Sequence, residues 1–200
     1  MANYRTSRIL PTILTIIVII VAIAGLVALA RLLFTGSSNS STPKVNETQQ
    51  SLLNTGADRS VSMTVRGPIV AEEDFRSYRI TVSPASRQIQ TFKGYLDTVI
   101  DQQTLSNNTA AYEQFVFALD KANFAKGVPF EGERNDVRGI CAVGRVYEFA
   151  VLNAGESKQM LWTSTCSGSA GSLRANSSQL SQLFLNQIPD GSSITRDLKL

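Results

Sequence analysis

The sequence predicts an α+β domain held outside a membrane by one N-terminal transmembrane helix. Three observations predict it. Twenty-two uncharged residues run from Ile9 to Ala30. Beyond residue 58, apolar residues alternate with polar ones in short runs and change to helical spacing after Asn108. The only two cysteines, Cys141 and Cys166, flank a hairpin pattern. Together they imply an antiparallel sheet of about five to six strands, one main helix, a short C-terminal helix and one disulfide.

At about 1.5 Å rise per residue, the apolar run is long enough to cross a hydrocarbon core of about 30 Å. Arg5 and Arg8 precede it and Arg31 follows, so the positive-inside bias places residues 1–8 in the cytoplasm, residues 9–34 in the membrane and the rest outside. Pro11 falls in the first turn, where its missing N–H is tolerated. Ala28-Leu29-Ala30 also fits a signal-peptidase site, and cleavage after Ala30 is the alternative to an uncleaved anchor. Both place the folded part in the same compartment.

Residues 35–58 are rich in Ser, Thr, Asn and Gln and read as a flexible tether. Asn39, Asn46, Asn107 and Asn176 each open a glycosylation sequon. Residues 59–200, about 140, suffice for one core. Ser60 to Arg66 places Val61, Met63 and Val65 on one face, and Gly67-Pro68 ends the strand. Tyr78, Ile80 and Val82 repeat the pattern before Pro84. Gln88 to Tyr95 and Leu96 to Leu105 form a less regular pair around Gly94.

After Asn108 or Thr109 as cap, Tyr112, Phe115, Val116, Leu119 and Ala122 share a helical face, with Gly127 as the expected stop. That stripe reads as core packing against the sheet. Arg145 to Leu152 and Lys158 to Cys166 then form a hairpin around Asn153-Ala154-Gly155-Glu156. A turn at Ala154-Gly155 sets Tyr147 opposite Trp162 and Phe149 opposite Met160, making one buried aromatic face, and brings Cys141 near Cys166. An exported pair of cysteines without C-x-x-C spacing is most simply a structural bridge. Gln179 to Gln187, with Leu180, Leu183 and Phe184 inward, reads as a short helix that stops before Pro189.

Three resemblances add expectations. Lys93-Gly94-Tyr95, Ala111-Tyr112-Glu113-Gln114-Phe115, the Cys141 to Cys166 segment and Gln187-Ile188-Pro189-Asp190 resemble membrane-anchored proteins of small, host-dependent bacteria of the Saccharibacteria type. That group implies the architecture and brings no activity. The order of strands, a helix ending in Ala122-Asn123-Phe124 and a closing hairpin is similar to emfourin-like inhibitors of metalloproteases, which implies protease inhibition. The run Ile17 to Ala28 resembles the hydrophobic helix of type IV pilins, which implies surface assembly, although the Gly-Phe processing site and the early glutamate are missing.

The composition excludes several chemistries. Of 19 Lys and Arg, three precede residue 35, leaving 16 against 16 Asp and Glu. The exported part is therefore neutral, and no nucleic-acid partner is expected. With no histidine, Ser-His-Asp and Cys-His catalysis and histidine metal sites are impossible. A Ser-Lys hydrolase would need Lys44, Lys93, Lys121, Lys126, Lys158 or Lys199. No Ser-x-x-Lys occurs in the folded domain, and Ser169 misses the Gly-x-Ser-x-Gly elbow. Glu131, Glu133 and Asp136 lack calcium-loop spacing and read as a solvated loop. Glu72, Glu73 and Asp74 read as an exposed connection, with a docking patch for a basic partner as the functional alternative. No catalytic, cofactor or metal site is expected. The expected function is non-enzymatic protein binding in the cell envelope.

Overall fold

The computed structural model describes residues 21–22, 46–198 and 200. The membrane segment 9–34 lies outside the described residues except for Val21 and Ala22, which are helical. No helix among the described residues is long and apolar enough to cross a membrane.

The tether expected over 35–58 is corrected from Asn46 onward; residues 35–45 lie outside the described residues. Glu47–Leu53 form a helix, α1, whose N-cap Asn46 accepts from the Gln49 N–H, with Glu47 in the first turn where the helix dipole favours an acid. So short a helix is marginal alone. It is stabilised by burying Leu52 completely and by ties from Asn46 to the Ala125 carbonyl and from Gln49 to Asp120.

Six antiparallel strands come next: β1 (Arg59–Arg66), β2 (Arg76–Val82), β3 (Ser86–Lys93), β4 (Thr98–Ser106), β5 (Val146–Asn153) and β6 (Glu156–Ser164), in the spatial order β4-β3-β2-β1-β5-β6. Strand β1 is therefore central, and the β5–β6 hairpin docks on its far side. Between β4 and β5 the chain crosses one face of the sheet as α2 (Thr109–Lys121). After β6 come α3 (Ser177–Leu185) and α4 (Gly191–Asp197).

Among the described residues from Asn46 onward, the helices pack on one face of the sheet. Val61, Met63 and Val65 of β1, Ile80 of β2 and Phe149 of β5 meet Tyr112, Phe115, Val116 and Leu119 of α2 there, with Leu180 and Phe184 of α3. Phe124 sits against both Phe149 and Phe184, with ring centroids 5.9 and 6.4 Å apart. Each such buried side chain contributes about 2 kcal/mol of transfer free energy. On the other face β1, β2 and β3 present Ser62, Thr64, Arg79, Thr81 and Gln90, too polar to drive a second helical layer.

Helix α2 begins where expected, with Asn108 accepting from the Ala111 N–H. It stops earlier than Gly127. Asn123 adopts a left-handed φ of 61° and the Phe124 N–H returns to the Leu119 carbonyl, a Schellman closure that asparagine supports. Gly127 instead bridges Leu173, so close to the Ser172 carbonyl that no Cβ fits.

The hairpin register is also corrected. Near the turn, Asn153 faces Glu156 and Leu152 faces Ser157, but a bulge between Val151 and Leu152 shifts the remaining pairs by one residue. Phe149 faces Leu161, Ala150 faces Met160, Glu148 faces Trp162 and Tyr147 faces Thr163. Because strand side chains alternate, a one-residue shift turns Trp162 and Met160 to the face away from the helices. No single aromatic face forms. Phe149 enters the main core, and Trp162 enters a second cluster with Cys141 and Val146.

The disulfide Cys141–Cys166 is present, with Cα atoms 5.4 Å apart. Helix α4 departs from the expectation that the last helix ends before Pro189. Asp190 takes a left-handed φ of 56° and the chain turns helical again at Gly191, with Ile194 packed on the core.

Candidate functional site

The segment between α2 and β5 passes to the polar face of the sheet and is stapled there. Phe130 meets Trp162 edge-on at 6.0 Å, Cys141 bonds to Cys166, and the Ser169 hydroxyl donates to the Ile140 carbonyl. The Trp162 carbonyl accepts from the Ser172 and Leu173 N–H groups, and a left-handed Gly171 (φ 70°) fits against it where a Cβ would clash.

Opposite this wall stand two other connections. In the β3–β4 turn, Gly94 (φ 70°) leaves the space that the Glu72 carboxylate fills, and Asp97 is left-handed at φ 52°. Tyr95 stacks on Phe75 with centroids 4.2 Å apart, and its hydroxyl donates to the Val70 carbonyl at 2.6 Å. The β1–β2 connection is tied to the stapled wall by Ile69 N–H donating to the Ala142 carbonyl at 2.9 Å.

Between the walls lies a cleft of about 710 Å³, lined by Ile69, Phe75 and Tyr95 on one side and by Val137, Ile140 and Met160 on the other. Its floor is charged. Arg66 Nε donates to Glu148 at 2.6 Å and Arg66 Nη1 to Asp97 at 3.3 Å. Their side chains are 26%, 13% and 34% exposed. Burial alone would lower the Arg66 pKa, but the charges of Glu148 and Asp97 outweigh it and hold it raised. At the mouth, hydrogen bonds from Arg138 hold the Asp136 carboxyl down to about 2.

The same three connections carry exposed apolar side chains: Ile69 and Val70 before β2, Leu96, Val99 and Ile100 around the β3–β4 turn, and Val143 beside the disulfide. Leu96 is 86% and Val143 90% exposed. Val70 and Ile100 also border a neighbouring hollow of about 720 Å³. Solvated turns are ordinarily polar, so this end of the sheet is unusual in concentrating aliphatic surface.

The residues singled out from the sequence fall in different places. Glu72 packs against Gly94 of the β3–β4 turn, and Arg76 donates to the Glu73 and Phe75 carbonyls instead of to an acid. Of the acidic loop Glu131, Glu133 and Asp136, only Asp136 lines the cleft. Lys158 pairs with Glu156, and Lys44 and Lys199 lie outside the described residues. No group of three or more potential metal ligands occurs among the described residues. Asn46, Asn107 and Asn176 spend their side chains on the fold, as caps or as a tie to the Ser83 carbonyl. Asn39 lies outside the described residues. Arg66, Tyr95, Asp97 and Glu148 carry no local sequence signal that marks them.

No protein-family model matches the chain, and no match is found among curated proteins.

Proposed function

We propose that the domain is a non-enzymatic binding module, held outside the membrane by the apolar segment 9–34, and that it contacts a protein partner through the cleft end of its sheet. One observation carries this reading. Three connections that hydrogen bonds and a disulfide hold together all present aliphatic side chains around one cleft with apolar walls and a charged floor. Burying such side chains on a partner is favourable, and a preorganised surface loses little conformational entropy when it binds.

Affinity capture from envelope extracts tests the proposal, using the full oxidised chain beside a Leu96→Asp/Val143→Asp variant and a Phe117→Asp variant. Phe117 is exposed on α2, far along the chain from the cleft connections. The reading expects a protein retained by the wild type and by Phe117→Asp but lost with the double variant. Equal retention by all three would contradict it.

A further inference from the structure

We infer that the cleft takes a lysine or arginine side chain of the partner, flanked by aliphatic residues. The inference rests on the proposal that this end of the sheet is the contact surface, and it specifies the chemistry recognised there.

The charges inside the cleft do not balance. Among the described residues Arg66 is the one cation on the floor, and it faces two carboxylates, Glu148 and Asp97. The third carboxylate, Asp136, is engaged by Arg138, whose side chain is 89% exposed and stands in water. The cleft lining thus holds three carboxylates, Asp97, Asp136 and Glu148, against two guanidinium groups, Arg66 and Arg138; at its partly buried floor an added cation is attracted more strongly than in open water.

The aromatic pair points the same way. One face of the Tyr95 ring is stacked on Phe75 and its hydroxyl is fixed by Val70, while the residue remains 43% exposed. A ring held so rigidly beside Asp97 offers a cation both a π face and a carboxylate. Val137, Ile140 and Met160 provide apolar contact for the methylene stem of a long basic side chain. An acidic group entering the cleft would find both guanidinium groups of the lining, Arg66 and Arg138, already engaged by Asp97, Glu148 and Asp136.

The test uses the full oxidised chain in detergent micelles and three pools of end-blocked nonapeptides. The pools share random flanks of Leu, Ile, Val, Phe, Ser and Asn and differ only in a central Lys or Arg, Gln, or Glu. We expect retention of the basic pool about tenfold above the glutamate pool, the ratio for roughly one partly buried charge pair. Asp97→Asn, which keeps a residue tolerant of the left-handed backbone, should bring the basic pool down to the glutamine level. Glu113→Gln on α2 should change nothing, and melting curves should show both variants fully folded at the assay temperature. Preference for the glutamine or glutamate pool that is lost in Leu96→Asp would overturn the charge inference and leave the contact surface standing. A basic preference untouched by Asp97→Asn would overturn the placement of the cation. Pools retained alike, with no change in Leu96→Asp, would overturn both.

Discussion

Arg66 on β1 and Glu148 on β5 meet diagonally across the sheet, Nε to Oε1 at 2.6 Å. Glu148 faces Thr64 directly and Arg66 faces Val146, so the ion pair joins residues two positions apart in the ladder on the face that carries no helix. It neutralises a carboxylate that is only 13% exposed and so makes the floor of the cleft tolerable.

Glu148→Gln leaves a partly buried guanidinium with Asp97 alone, and a loss of about 1–2 kcal/mol is expected by urea unfolding. Replacing both partners, in Arg66→Met/Glu148→Met, should recover part of that loss, because the carboxylate then left without its cation is Asp97, which is 34% exposed and stays hydrated. A double variant worse than the sum of the singles would count against this account.

The bulge at Val151/Leu152 makes neighbouring hairpin side chains unequal. Phe149→Ala removes a fully buried ring from the main core and should cost about 3–5 kcal/mol. Met160→Ala, on the opposite face and lining the cleft, should cost less than about 1.5 kcal/mol. Equal losses in urea titrations would favour the unbulged register, in which these two residues face each other.

The disulfide spans a separation of 25 residues and is expected to contribute roughly 3 kcal/mol by restricting the unfolded chain. The Cys141→Ser/Cys166→Ser variant should melt roughly 10 °C lower. Trp162, the one tryptophan of the chain, packs against Cys141. Its emission should therefore shift to the red while the far-ultraviolet circular dichroism of the sheet persists. An unchanged emission maximum would show that the bridge does not hold the wall of the cleft.

Without histidine, and with both cysteines bonded, the domain has almost nothing to titrate near neutrality. Thermal stability should be nearly flat from about pH 6 to 9. Burial raises the Tyr112 pKa to about 12, and burial together with Tyr147 raises that of Tyr78 further. The folded state thus holds these protons more tightly than the unfolded chain. The stability they contribute is complete below about pH 10 and is lost as pH rises through that value toward 12. Melting temperatures measured from pH 6 to 12 should show a plateau and then an alkaline fall; a steep loss before pH 9 would contradict the assignment.

Much of the fold is legible in the sequence because its periodicities are local. Val61, Met63 and Val65 alternate, Tyr112 to Leu119 recur at helical spacing, and Ala154-Gly155 adopts the positive φ values, 51° and 82°, that a tight hairpin turn needs. Three features are not legible, because they depend on distant segments. Helix α1 relies on burying Leu52 against remote parts of the chain, so its own Ser- and Gln-rich sequence reads as coil. The bulge depends on how β6 docks beside β5, and two-residue alternation cannot show one extra residue. The cleft draws Arg66, Phe75, Tyr95, Asp97, Val137 and Met160 from separate connections and strands. No window of sequence contains it.

The proposed contact surface is the cleft end of the sheet. Site-specific photocrosslinking in the producing cells, with a benzophenone amino acid at Leu96, Val143 or Ile69 and at Phe117 as the remote control, tests it most directly. A discrete protein adduct from the first three positions and none from Phe117 is the predicted result. Adducts from Phe117 alone, or the same adduct from every position, would contradict it.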